Sequence, residues 1–151
     1  MSIEPAKSGD YAVFRRLFEQ LETGDPPTSE ADFAQQIAPH MLVARSPEGD
    51  ALGYVFATVF GSACYVRHIV TSPWARKKGI GRALLAKVAA EAASRGAQSL
   101  ELNVKLGNVA AIRLYESFGM LRRWRSLLRW ARTRSISRTT SGRGALAACS
   151  S

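Results

Sequence analysis

The densest set of chemically useful residues is Arg76-Lys77-Lys78-Gly79-Ile80-Gly81. It follows the run Val66–Thr71, which is rich in β-branched residues, and a turn containing Pro73, and it leads into the amphipathic stretch that continues ArgAlaLeuLeu. A loop entering a helix N-terminus aims several backbone N–H groups at one point, where the helix dipole favours an anion. Gly79 and Gly81 remove Cβ atoms where a phosphate must come close to the backbone. Three cations add charge. The chemistry implied is a phosphate or pyrophosphate cradle. GxxxxGK[ST] and GxGxxG are both absent, so it is neither a P-loop nor the dinucleotide fingerprint. The same residues also read as a glycine-capped helix with a solvated cationic face.

The elements that must position this loop can be read from periodicity. Ser2 to Ala6 suits a first strand. Asp10 is an N-cap for a helix to about Glu22, with Tyr11, Phe14, Leu17, Phe18 and Leu21 on one stripe. Gly24-Asp25-Pro26-Pro27 ends it. Ser29 and Asp32 resemble a capping box that opens a second short helix to about Ile37. Met41–Arg45 and Ala51–Phe60 pair as an antiparallel hairpin, the second strand apolar on both faces and therefore central. A third run covers Ala63–Thr71. Gly79 or Ile80 opens a long helix to Arg95, with Gly96 as its C′ residue. Ser99–Val104 alternates, with Leu100, Leu102 and Val104 on one face and Glu101 and Asn103 on the other. Asn108 caps a last helix to Phe118. Strand, helix, strand across residues 63–104 favours a parallel pair with a right-handed crossover. The expected fold is α/β (α+β), with a mixed, mostly antiparallel central sheet and helices on both faces.

At these residues the chain resembles a known family. The pattern R-x-x-G-x-G between strand and helix, here Arg76 to Gly81, is similar to the acetyl-CoA signature of the GNAT superfamily of N-acetyltransferases. The segment NVKLGNVAAIRLYESFGM resembles its second conserved block, with Asn108, Ala111, Leu114, Tyr115 and Gly119 at the block's spacings. The element order from Ile3 to Met120 is also similar, so the resemblance covers residues 1–120. It implies the GNAT fold, in which the parallel strands splay apart. It also implies an acyltransferase that moves an acetyl group from acetyl-CoA to a primary amine by direct attack, without a metal. The acceptor would be a small-molecule or protein amine.

Residue roles carry over by the same resemblance. Arg76, Lys77, Lys78, Gly79, Ile80 and Gly81 would hold the pyrophosphate through backbone N–H groups. The backbone of Ile69, Val70 and Thr71 would pair with the pantetheine arm like an added strand. Asn108 would contact the cofactor, or act as a plain N-cap, or both. Tyr115 would be the general acid for the departing thiolate, its reference pKa of about 10 lying near a thiol's. Its alternative is a core tyrosine. Many family members carry a carboxylate near the middle of the fourth strand, where this chain has Arg67 and His68. His68 is the candidate base, against a structural strand histidine. Glu101 is a weaker candidate, against a solvated or paired carboxylate. Cys64 lacks an adjacent base in sequence and reads as a small core residue rather than a covalent nucleophile.

Composition narrows the classes. The chain has 151 residues, 21 Lys+Arg and 12 Asp+Glu, for a formal charge of +9. Residues 1–120 hold 13 Lys+Arg and all 12 acids, a balance of +1, while residues 121–151 hold 8 Arg and no Lys or acid, a balance of +8. We therefore divide the chain into an acetyltransferase domain, 1–120, and an atypical basic segment, 121–151, that reads as disordered from Ala131. Leu121–Trp130 could be one strand or a short helix. The basic segment is open to three readings: an anion-binding extension, divergence of the acceptor side, or a change of reading frame. Trp124 and Trp130 among its arginines would suit nucleic acid, but a near-neutral domain argues against that partner. A non-catalytic acyl-CoA-binding domain is the other alternative. Glu19, Glu22, Asp25, Glu30 and Asp32 could draw a cationic amine or form a solvated face. No apolar run of membrane-spanning length and no signal-peptide pattern is present, so a cytoplasmic chain without membrane partner is expected, with a second copy as a candidate partner.

Overall fold

The computed structural model describes residues 1–26, 28–105, 107–122 and 128–132, with residues 121–122 and 128–132 as backbone. The strands are β1 (Ser2–Pro5), β2 (Met41–Arg45), β3 (Ala51–Phe60), β4 (Ala63–Thr71), β5 (Ser99–Val104), β6 (Leu121–Arg122) and β7 (Leu128–Arg132). The α-helices are α1 (Tyr11–Phe18), α2 (Glu30–Asp32), α3 (Ile80–Ser94) and α4 (Val109–Ser117). The fold is mixed α/β, with antiparallel pairs β1–β2, β2–β3, β5–β7 and β6–β7 and a parallel pair β4–β5. Two compact units make it up. One comprises Met1–Ala57 and His68–Lys87, the other Thr58–Arg67 and the described residues from Val88 onward.

In the first unit, β1 pairs antiparallel with β2, and β2 with β3. The register slips between Ala44 and Arg45, where Ala44 faces Gly53 and Arg45 faces Ala51, so Leu52 is bulged. The start of β3 is buried on both faces, as its unbroken apolar sequence requires. The stripe of α1 enters the core through Phe14 and Leu17, 0% and 2% exposed, against Phe33, Ile37, Met41, Val43, Tyr54 and Val70. The ring of Phe14 lies 5.0 Å from that of Phe33, 5.4 Å from Phe18 and 5.7 Å from Tyr54. The helix itself is shorter than its stripe: it is α-helical to Phe18 and continues as a 3₁₀ turn over Glu19–Leu21. Asp10 stands at the N-cap without capping through its side chain. Its carboxylate instead accepts from the Lys7 N–H and pairs with the Arg45 guanidinium. Ser29 does cap α2, its Oγ accepting from the Asp32 N–H at 3.2 Å. The chain then continues through a π-helical turn, Phe33–Ile37, and a 3₁₀ turn, Ala38–His40.

In the second unit, β5 lies between β4 and β7. The parallel ladder runs from Ala63–Ser99 to Val66–Leu102, and β7 pairs antiparallel along β5 from Leu100–Arg132 to Val104–Leu128. Paired on both edges, β5 is buried on both faces over Ser99–Leu102, so its alternation does not leave Glu101 in solvent. The stretch after Met120 forms two short strands, β6 and β7, paired antiparallel, rather than one strand or a helix. Residues Ala131 and Arg132, expected in the disordered segment, belong to β7. The expectation for residues 133–151 lies outside the described residues. Gly96 and Gly119 follow α3 and α4 with φ of 87° and 94°, left-handed values that end a helix at little cost in glycine.

Candidate active site

The first unit holds the cationic loop and the strand that delivers it. At the end of β4, the Ser72 N–H donates to the Leu52 carbonyl at 2.8 Å and the Ser72 Oγ donates to the Ala51 carbonyl at 3.0 Å. Ser72 is 1% exposed, so these bonds fix the chain where it leaves the sheet. Gly53 lets the neighbouring stretch pack this closely, because a Cβ there would collide with the Val70 carbonyl oxygen. Val70 and Ser72 thus face β3. By the alternation of a strand, the N–H and C=O groups of Ile69 and Thr71 point to the opposite side of β4.

Pro73–Ala75 form a 3₁₀ turn, and the chain reaches α3 through Arg76–Gly79. Lys77 has φ of 60° and Gly79 of 77°. Two left-handed residues within three positions curl the backbone, and Gly79 closes the loop by accepting the Ala83 N–H at 3.0 Å through its carbonyl. The leading N–H groups of α3, those of Ile80 and Gly81 included, have no carbonyl one turn back within the helix, and they open toward this loop. Arg76, Lys77, Lys78 and Gly79 are exposed, Gly81 half-buried and Ile80 buried. The Arg76 guanidinium donates to Gln20 Oε1 at 3.2 Å, and Lys78 Nζ lies 6.0 Å from the centre of the Trp74 ring. Gln20, Ser72 and Gly53 carry no motif of their own. Only the fold reveals their part in shaping this region.

His68 also belongs to the first unit, on β4. Its ring lies 5.3 to 6.4 Å from those of Phe56, Phe18, Tyr54 and Phe14. The Tyr54 hydroxyl is 3.3 Å from Nδ1. Burial pushes the Tyr54 phenol well above its ordinary value, so it stays protonated and can donate to Nδ1. In the other tautomer Nδ1–H donates to the hydroxyl oxygen and Nε2 is left unprotonated. Of the acidic stretch, Asp32 takes hydrogen bonds from Ser29 and Gln36 within its own turn.

The second unit holds Asn108 and Tyr115. The Asn108 Oδ1 accepts the Ala111 N–H at 3.2 Å, so the N-cap is present. Tyr115 is 5% exposed, and burial raises its phenol well above the ordinary range. The group is neutral at physiological pH: it can give a hydrogen bond or its proton but cannot act as a base, and it holds that proton more tightly than a free phenol. Glu101 is 4% exposed, not solvated. Cys64 is 2% exposed and burial pushes its thiol up to about 11, which removes the thiolate a covalent route would need. Beyond the last rung of the parallel ladder lies a cleft of about 190 Å³ lined by Tyr65, Val66, Arg67, Leu102 and Asn103. Over it, Arg67 Nε donates to Thr58 Oγ1 at 3.2 Å, and the guanidinium carbon lies 5.6 Å from the Tyr65 ring centre. Among the described residues, no group of three His, Cys, Asp or Glu is placed to hold a metal ion, and no helix is long and apolar enough to cross a membrane.

A strand pinned at its end, a curled cationic loop and a helix N-terminus make a strand–loop–helix unit whose donors and charge suit an anion. Residues 11–120 match the acetyltransferase (GNAT) family, and the chain belongs to that family. Among curated proteins, it is 33% identical over 94 residues to the [ribosomal protein bS18]-alanine N-acetyltransferase of Escherichia coli, an alignment covering 62% of this chain and 64% of that protein. It is 27% identical over 139 residues to the thialysine N-epsilon-acetyltransferase of Sus scrofa, covering 78% and 82%. Among solved structures, a ribosomal-protein-alanine N-acetyltransferase from Brucella melitensis superposes with a TM-score of 0.70 at 21% identity, covering 87% of this chain and 97% of that one. The chain thus spans just under two thirds of the length of the Escherichia coli relative.

Proposed function

We propose that this chain is an N-acetyltransferase that moves an acetyl group from acetyl-CoA to an amine, acting in the cytoplasm through its 1–120 domain. The observation that carries the proposal is the Arg76–Gly81 loop, with left-handed backbone at Lys77 and Gly79, set at the head of the fifteen-residue helix α3. That curl, the leading N–H groups of α3 and three side-chain cations suit a pyrophosphate. The N–H and C=O groups of Ile69 and Thr71, turned away from β3, suit an amide-bearing arm laid along the strand. Bound there, acetyl-CoA supplies a thioester whose carbonyl an uncharged amine can attack.

The chain's own residues supply binding and proton handling. Asn108 offers its side-chain amide N–H groups beside the cap. Tyr115, held neutral by burial, gives a hydrogen bond or its proton to the sulfur as that atom gains charge. His68 takes the proton from the acceptor amine. For that role its ring must present an unprotonated nitrogen, which the Nδ1–Tyr54 contact governs. The alanine and thialysine acetyltransferases it resembles support an amine acceptor, small or protein-borne.

Isothermal calorimetry with acetyl-CoA, followed by thiol release with a panel of amines, tests the reading. Submillimolar binding with release for at least one amine is expected. Absence of binding overturns it. Binding without release for any amine makes the chain an acyl-CoA-binding domain instead.

A further inference from the structure

We infer that Arg67 is a specificity residue, holding the carboxylate of an acceptor that carries both an amine and an acid group. The inference rests on the acetyltransferase reading for the word acceptor, but the site stands on its own geometry. The cleft beyond the Val66–Leu102 rung measures about 190 Å³, and three of its five lining residues, Tyr65, Arg67 and Asn103, have polar side chains: a phenol, a guanidinium and a carboxamide. Among the described residues, no carboxylate side chain lines it. All three groups donate hydrogen bonds, and only one is charged.

The guanidinium is also oriented. Its Nε bonds Thr58 Oγ1 on the neighbouring strand, and its central carbon lies over the Tyr65 ring, 5.6 Å from the ring centre. Fixing Nε reduces the rotamer freedom lost on binding and commits the terminal nitrogens as the donors for a ligand. A planar fork of that kind matches the two oxygens of a carboxylate, which a lysine would meet only as a point charge. Tyr65 and Arg67 alternate with Val66 along β4, and Asn103 follows Leu102 on β5. Strand backbone on both walls therefore fixes the spacing of the donors.

The test uses the full chain, with and without saturating CoA, titrated with N-acetylalanine and with N-acetylalanine amide. The acid should bind at least tenfold more tightly than the amide. Arg67→Ala should abolish that preference, Arg67→Lys should restore it only in part, and CoA affinity should stay unchanged. In turnover, Arg67→Ala should raise KM for alanine by tenfold or more with a smaller change in kcat. Unchanged thermal melting of both variants excludes misfolding as the cause. Equal binding of acid and amide, no detectable binding of either, or loss of CoA affinity in Arg67→Ala would each overturn the assignment. The last outcome would mean that the cation serves the cofactor's phosphates. Carboxylate binding that depends on Arg67, with no thiol release from any amine, would keep this site and remove the transferase reading.

Discussion

Tyr115 and Cys64 show what burial does to an ionisable side chain. A phenol taken out of water resists ionisation, so Tyr115 can serve as a donor but not as a base. Tyr115→Phe should therefore lower thiol release about 10²-fold or more, the usual scale of acid catalysis, with acetyl-CoA affinity within twofold. Stopped-flow release and calorimetry check the two halves. Cys64 gives a pH effect with a definite sign. Its folded thiol lies at about 11 against an ordinary 9.0, so the folded chain holds this proton more tightly than the unfolded one. That contribution to stability is complete below about pH 9 and is lost as pH rises toward 11. Denaturant melts of Cys64→Val should be flatter than those of the parent between pH 9 and 11. The loop from Arg76 to Gly81 was legible in the sequence because a strand, a turn and a helix surround it within twenty residues. The Asp10–Arg45 pair was not, because its members lie 35 residues apart and a helix N-cap was the nearer explanation for Asp10.

At the scale of elements, β3 and the end of β4 act as one device. Leu52, bulged, receives Ser72, and Gly53 gives Val70 room. Gly53→Ala would force backbone against backbone. It should cost about 1–3 kcal/mol, the range for overpacking, and weaken acetyl-CoA binding by displacing Ile69 and Thr71. Thermal melts and calorimetry read the two effects. Phe14→Ala, at the centre of the ring cluster, should cost about 3–5 kcal/mol in denaturant melts. The bounds of β3, β4 and α4 were legible because their own residues carry the period or the cap. The burial of Glu101 was not. It follows from β7 lying along β5, and β7 comes from a stretch whose sequence has no strand period.

For the whole molecule, charge is uneven along the chain. Residues 1–120 carry +1 and residues 121–151 carry +8, so retention on a polyanion should depend on the latter. Replacing Arg134, Arg138 and Arg143 by Gln should lower the salt concentration that elutes the chain from heparin and leave acetyl-CoA affinity unchanged. A matching loss of acetyl-CoA binding would show that the basic segment serves the cofactor.

Lys77 has a bearing on mutational tolerance. A left-handed lysine costs roughly 1–2 kcal/mol against glycine, which adopts that backbone freely. A saturation library at this position, selected for survival on heating, should enrich Gly and Asn. The same library selected for retention on immobilised CoA should return Lys or Arg. Opposite winners from one codon would show that the loop keeps its charge at the expense of its resilience.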